Sequence, residues 1–174
     1  MIEGKSTIFE LNFYTMSFIV REGEQKDIPS ILDLIIELAV FEKLPNEVEI
    51  TKEDLLKDGF SENPMFKTFV AEETNGKIIG MTLFYERYST WKGKAIHLED
   101  LMVTQSKRGI GAGKALYKAV LNYAYQNNYK RVAWEVLDWN TSAIKFYEST
   151  GAKILDGWLV AQMNEENLKN FITE

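Results

Sequence analysis

The stretch Arg108-Gly109-Ile110-Gly111-Ala112-Gly113-Lys114 joins an apolar strand to a long amphipathic helix, and its reading decides the fold. Small residues at a helix N-terminus leave backbone N–H groups free to hold an anion, and phosphate is the usual one. A mononucleotide loop needs Gly, four residues, then Gly-Lys-Ser/Thr. Here Arg108 stands where the first Gly should be, and Ala115 replaces the magnesium-binding hydroxyl. A dinucleotide fingerprint needs a third Gly three residues after the second, where this chain has Lys114 or Leu116, depending on the frame. Both common nucleotide loops fail, and Arg-x-x-Gly-x-Gly remains. The bare alternative is a glycine-rich strand-to-helix turn with no ligand.

Around this loop lie 174 residues, the length of one domain, with 45% hydrophobic and 13% aromatic content. Such a composition suits a packed core and excludes a disordered chain. There is no cysteine, which removes disulfides and thiolate metal sites, and a single histidine, His97, which argues against a His-rich metal site or a Ser-His-Asp triad. No metal is expected. A net charge of −6 argues against a nucleic-acid partner and suits a cationic substrate, although solubility alone would account for it. No apolar run is long enough for a bilayer and no secretory leader is evident, so no membrane association and a cytoplasmic location are expected.

Residues 1–15 do not match the rest of the chain and read as an N-terminal extension with no assigned function; residues 16–174 read as one domain. A strand is expected at 17–21. Asp27 is a candidate N-cap, with Pro29 tolerated in the first turn, for a helix reaching about Phe41. Thr51 and Asp54 form a capping-box pattern for a short helix ended near Gly59. Strands are expected at 66–73 and 77–87, with the hairpin signal Asn75-Gly76 between them, and again at 94–103. After the loop come a helix at 111–126, a strand at 130–137, a helix at 141–149, a strand region at 153–163 and a terminal helix capped near Asn164. The expected order is β-α-α-β-β-β-α-β-α-β-α, an α/β (α+β) fold with a mixed, mostly antiparallel twisted sheet flanked by helices.

The strand Ile96-His97-Leu98-Glu99-Asp100-Leu101-Met102-Val103 carries two adjacent carboxylates among apolar neighbours, where ionised groups are costly. Simple alternation sends Glu99 and Asp100 to opposite faces. One could then face a cleft while the other makes a structural contact; both could also be solubilising edge charges. Tyr147, on the helix at 141–149, is a competent weak acid or simply a core residue.

Several separated segments point further. Besides the loop they are Asn140-Thr141-Ser142-Ala143-Ile144-Lys145-Phe146-Tyr147, Glu37-Leu38-Ala39-Val40-Phe41-Glu42-Lys43-Leu44, Asp58-Gly59-Phe60, Tyr88-Ser89-Thr90-Trp91-Lys92-Gly93, Leu98-Glu99-Asp100 and Val136-Leu137-Asp138-Trp139-Asn140. In these the chain resembles the GNAT superfamily of N-acetyltransferases. Within it the match is to the diamine acetyltransferase branch, which includes the spermidine/spermine and thialysine N-ε-acetyltransferases. The likeness runs from about residue 17 to the end.

This resemblance implies an acetyl-CoA co-substrate and a homodimer whose acceptor site is completed by the partner subunit. It implies that backbone groups of Leu101, Met102 and Val103 bind the pantetheine arm and acetyl carbonyl like an added strand. Gly109, Ile110, Gly111, Ala112, Gly113 and Lys114 would hold the pyrophosphate, with Arg108 adding charge. Asn140 and Ala143 would contact the cofactor arm, and Tyr147 would sit at the sulfur as general acid. Glu99, with Asp100 as second candidate, would bind or deprotonate the amine. Phe41, Glu42 and Trp91 would line the acceptor site. The polyamine enzymes carry an acidic residue two positions before this Trp; here it is Ser89, as in the thialysine-type enzymes. Losing that carboxylate favours a small diamine-like acceptor such as a lysine analogue, while Glu135 could replace the charge and keep polyamines open. A spermidine/spermine acetyltransferase, a protein or peptide N-acetyltransferase and a non-catalytic acyl-CoA-binding module are the competing readings.

Overall fold

The computed structural model describes residues 17–173, so the expected extension at 1–15 lies outside the described residues. The described residues divide into two compact units, parted between Trp134 and Glu135.

The first unit is a five-stranded sheet in the order β1-β2-β3-β4-β5. The strands are β1 Phe18–Glu22, β2 Lys67–Glu73, β3 Ile78–Ser89, β4 Gly93–Val103 and β5 Val132–Ala133. The first four are antiparallel neighbours, and β5 runs parallel to β4. The β2–β3 turn uses Gly76 at φ +85, with the Asn75 Oδ1 accepting from the Lys77 N–H at 2.9 Å. This is the chemistry that the Asn-Gly signal requires, because a tight hairpin needs positive φ.

Helices α1 (Ile28–Phe41) and α2 (Lys52–Gly59) cover one face of the sheet. Ile28, Ile31, Leu34 and Leu55 pack there with Val70, Met81, Leu83 and Met102. Helix α3 (Ala112–Gln126) covers the other face, where Ala112 and Leu116 pack with Phe18, Ala71, Ile79 and Val103. Alternation along each strand feeds both layers. The Thr51–Asp54 capping box forms as expected. Asp27 precedes α1 but makes no cap bond to it. Instead its carboxylate accepts from the Glu24 N–H at 2.8 Å and from both Arg21 Nη atoms at 2.6 and 2.9 Å. The Arg21 guanidinium and the backbone donor hold its pKa below the usual carboxylate range against the opposing effect of burial.

The second unit, described by itself, holds α4 (Thr141–Ser149) and α5 (Glu165–Thr173). Asn164 caps α5 by accepting from the Asn167 N–H at 2.9 Å. Two strand expectations are corrected. The strand expected at 130–137 pairs only over Val132–Ala133, because the chain leaves the first unit directly after Trp134. The segment 153–163 forms no strand. A strand needs a neighbour to satisfy its backbone and bury its apolar face, and the described residues of this unit contain no other strand. Leu155 and Leu159 are accordingly exposed. No helix among the described residues is long and apolar enough to cross a membrane.

Candidate active site

Strand β4 is irregular where chemistry is expected. Asp100 pairs with Leu83, and Leu98 pairs with Phe84, so two steps on β4 answer one step on β3. Glu99 is the extra residue of a bulge, a device that re-aims side chains. Glu99 keeps the phase of His97, and Asp100 keeps the phase of Met102, which packs against α1 and α2. Both carboxylates therefore reach the same side of the sheet, which corrects the opposite-face expectation from strict alternation. Their neighbours agree. The Glu99 Oε2 lies 3.4 Å from the His97 Nε2, and the His97 ring lies against Tyr85, at 5.1 Å between centroids. Tyr85 in turn packs on the α1/α2 core.

The two acids differ in setting. Desolvation, then the Glu99 and Glu42 charges, push Asp100 up to about 7. Glu99 keeps a half-exposed side chain. Glu42, the residue that closes α1, is itself raised by burial. The charges of Glu42 and Glu99 thus both act on Asp100. Leu83, the cross-strand partner of Asp100, also lines a cavity of about 320 Å³ with Ile50, Leu55, Met65, Phe66 and Tyr85, and with Asp54 and Asp58 on its wall.

The glycine loop leaves its backbone open. Gly109 and Gly111 adopt φ of +85 and +91, values that side chains rarely tolerate. A Cβ on either would meet nothing within 4 Å. Helix α3 starts at Ala112 with no side-chain cap, so its first N–H groups are not claimed by a capping side chain, and Lys114 is exposed. These features fit a pyrophosphate. Arg108 stands at the start of the loop. Its Nε donates to the Val103 carbonyl at 3.1 Å, Nη2 reaches the Met102 Sδ at 3.7 Å, and the guanidinium lies 4.8 Å from the centre of the Phe41 ring. Arg108 therefore clamps the loop to the end of β4 and to α1. Glu37 adds a second tie, accepting from the Gln105 N–H at 2.8 Å. Beyond His97, β4 has no strand partner among the described residues on the edge away from β3. Leu101, Met102 and Val103 lie on that stretch, as an added-strand mode of binding requires.

Trp91 is placed elsewhere. It is 78% exposed in the β3–β4 turn, next to the Ser89–Gly93 pair. At the strand rise this is about 20 Å along β4 from Asp100. Ser89 is buried, and its Oγ accepts from the N–H groups of Trp91 and Lys92 at 3.3 and 3.2 Å, so it shapes this turn. In the second unit the Asn140 Oδ1 accepts from the Ala143 N–H at 3.3 Å and caps α4. Tyr147 is buried on that helix with its ring 5.3 Å from Phe146, and Glu135 is exposed. His97, Tyr85 and Arg87 were not singled out from the sequence as site residues. The signal was available, since His97 lies two residues before Glu99 and shares its face.

Comparison with known proteins gives a consistent result. Residues 31–152 match the model of the acetyltransferase (GNAT) family. Thialysine N-epsilon-acetyltransferase of Mus musculus is 38% identical over 160 residues, covering 86% of this chain and 94% of that protein. The Sus scrofa protein of the same name is 40% identical, covering 82% and 89%. Spermidine/spermine N(1)-acetyltransferase-like protein 1 of Homo sapiens is 36% identical over 90% of this chain, which spans only 24% of that longer protein. Among solved structures, an integron cassette protein from V. cholerae superposes with a TM-score of 0.74 at 24% identity, covering 91% of this chain and 99% of that one, which shows the fold. On the family match and the coverage of these relatives, the chain belongs to the acetyltransferase (GNAT) family and is an acetyl-transferring enzyme.

Proposed function

We propose that this enzyme transfers acetyl from acetyl-CoA to a primary amine of a small diamine-like acceptor, such as thialysine, another lysine analogue or a short diamine, by direct attack in a ternary complex. The observation that carries the reading is the pair of carboxylates brought together at the β4 bulge, with Asp100 pushed up to about 7. A primary ammonium must lose a proton before it can attack. A base with a pKa near neutrality is suited to take it, and a second carboxylate is suited to bind the cation. Asp100 is the base in this scheme and Glu99 the ammonium partner. Backbone N–H groups on the open edge of β4 hold the acetyl carbonyl as its oxygen gains charge. Tyr147 donates the proton to the leaving thiolate, and Asn140 and Ala143 contact the cofactor arm. An aliphatic stem fits the cavity between Leu83, Tyr85 and Met65.

Residues 16–174 act in this scheme as one N-acetyltransferase domain, a reading that the family match across both units supports. The enzyme works as a homodimer, supported by the separation of Trp91 from the carboxylates of its own chain. A polyamine acceptor is the second reading. Glu42, Glu99 and Asp100 supply charge that Ser89 does not, and one relative carries spermidine and spermine in its name.

A thiol-release assay with acetyl-CoA and thialysine, lysine, spermidine, spermine, putrescine and a lysine peptide tests both. Fastest release with thialysine or a short diamine is expected. Preference for spermidine would establish the second reading, and release with none of the amines would overturn both.

A further inference from the structure

The only histidine of the chain sits on β4 two residues before Glu99 and is 8% exposed. Both its ring nitrogens face charged groups. Nδ1 lies 3.4 Å from the Arg87 Nη1, and Nε2 lies 3.4 Å from the Glu99 Oε2. Tyr85 lies against the ring face. A guanidinium has donors only and never accepts. Nδ1 must therefore offer its lone pair to Arg87, which leaves the ring proton on Nε2, the nitrogen beside the Glu99 carboxylate.

We propose that His97 is a positioning residue for the acceptor amine: Arg87 fixes its tautomer, and its Nε2–H steers the Glu99 carboxylate. The inference rests on the role given above to Glu99. The bulge leaves Glu99 without a partner residue on β3, and its side chain is half exposed, so its direction is not set by packing. A donor from the buried ring sets it. An imidazole with its proton on Nε2 also directs the carboxylate without contributing a positive charge, so the negative charge remains available to an incoming ammonium. A lysine or arginine in this place would instead compete with the substrate. Among the described residues, the charged and titratable groups shown against the ring are Arg87 and Tyr85 from β3 and Glu99 from its own strand. Asp100 stands next to Glu99, and Glu42 faces Asp100.

Two measurements test this. Steady-state kinetics of His97→Leu should show the amine KM raised roughly tenfold, with the KM for acetyl-CoA unchanged. His97→Gln, which keeps an N–H donor near the place of Nε2, should stay within about threefold of the unsubstituted enzyme for both substrates. An unchanged amine KM in His97→Leu overturns the proposal. So does a His97→Gln enzyme as impaired as His97→Leu at equal melting temperature, because packing alone would then explain the loss. The second readout needs no turnover. In ¹⁵N-labelled protein without a histidine tag, the one imidazole gives one pair of ring signals, and its long-range correlations report the tautomer. A protonated Nε2 and a bare Nδ1 near neutral pH are expected, as is a shifted Nε2–H resonance in Glu99→Gln. A proton on Nδ1 overturns the proposal even if the acceptor is never found. If no amine is acetylated, the proposed function fails while the tautomer is still decided.

Discussion

Leu83 stands opposite Asp100, while the next residue, Phe84, stands opposite Leu98. This single slip in register is what puts Glu99 and Asp100 on one side of β4. Desolvation and the two nearby acids then raise Asp100 to about 7. A base is active when deprotonated, so kcat/KM for the amine should rise with pH and level off above about 7. Asp100→Asn should lose this limb and slow turnover by roughly 10²- to 10⁴-fold. A variant that keeps both the rate and the profile would remove Asp100 from the role of base.

The same shift links to stability, with a sign opposite to that of most carboxylates. The folded chain holds the Asp100 proton up to about 7, whereas the unfolded chain releases it near 3.8. Stability from this group is therefore complete below the lower value and declines as pH rises through the window between them. Asp100→Asn stays neutral throughout. Its melting temperature relative to the parent should be higher at pH 8 than at pH 5, measured by scanning calorimetry at both. An equal difference at the two values would show that Asp100 titrates normally.

The loop and the sheet beneath it give a contrasting pair of glycines. At Gly111 the backbone is left-handed, at φ +91, but a Cβ would project into open space. Gly111→Ala should fold with a strain cost of about 1–2 kcal/mol and a raised KM for acetyl-CoA, while the amine KM stays unchanged. At Gly80 a Cβ would lie 2.8 Å from the Met102 carbonyl oxygen and 3.1 Å from a Leu116 methyl. Gly80→Ala should therefore lower the melting temperature more than Gly111→Ala does, because backbone has to move. Comparable cofactor KM values in Gly111→Ala and the parent would argue against the anion reading of the loop.

How much of the molecule is legible in its sequence depends on how local each signal is. The Thr51–Asp54 box and the Asn75-Gly76 turn are complete within four residues, and both form. Amphipathic periodicity places α1 and α3 within a residue or so of their observed ends. The bulge at Glu99 is not legible, because register belongs to the pairing of two strands rather than to either one. For the same reason residues 153–163, apolar enough for a strand, form none without a neighbouring strand in their own unit. Arg108 is legible as a cation beside a glycine loop, but its direction depends on Phe41 from a distant helix. His97 is harder to read as a site residue. A lone histidine speaks first through the triads and metal sites that it excludes, and its contact with Arg87 depends on how β3 pairs with β4.

Trp91 supplies the last prediction. It is exposed at the end of a hairpin, about 20 Å along the strands from Asp100, yet the family resemblance assigns it to the acceptor site. Both statements hold together when the Trp91 of one copy serves the carboxylates of another. Trp91→Ala should then raise the amine KM severalfold, as expected for loss of a large aromatic contact, and leave the KM for acetyl-CoA alone. Mixing Trp91→Ala with the inactive Asp100→Asn protein supplies the stronger test. In a mixed dimer one site carries both changes and the other carries neither. With full exchange of subunits in an equal mixture, about a quarter of all sites are intact in a twofold dimer. Activity at low amine concentration should then exceed the average of the two separate proteins. No gain on mixing, with subunit exchange confirmed by mass spectrometry, would place Trp91 outside the acceptor site.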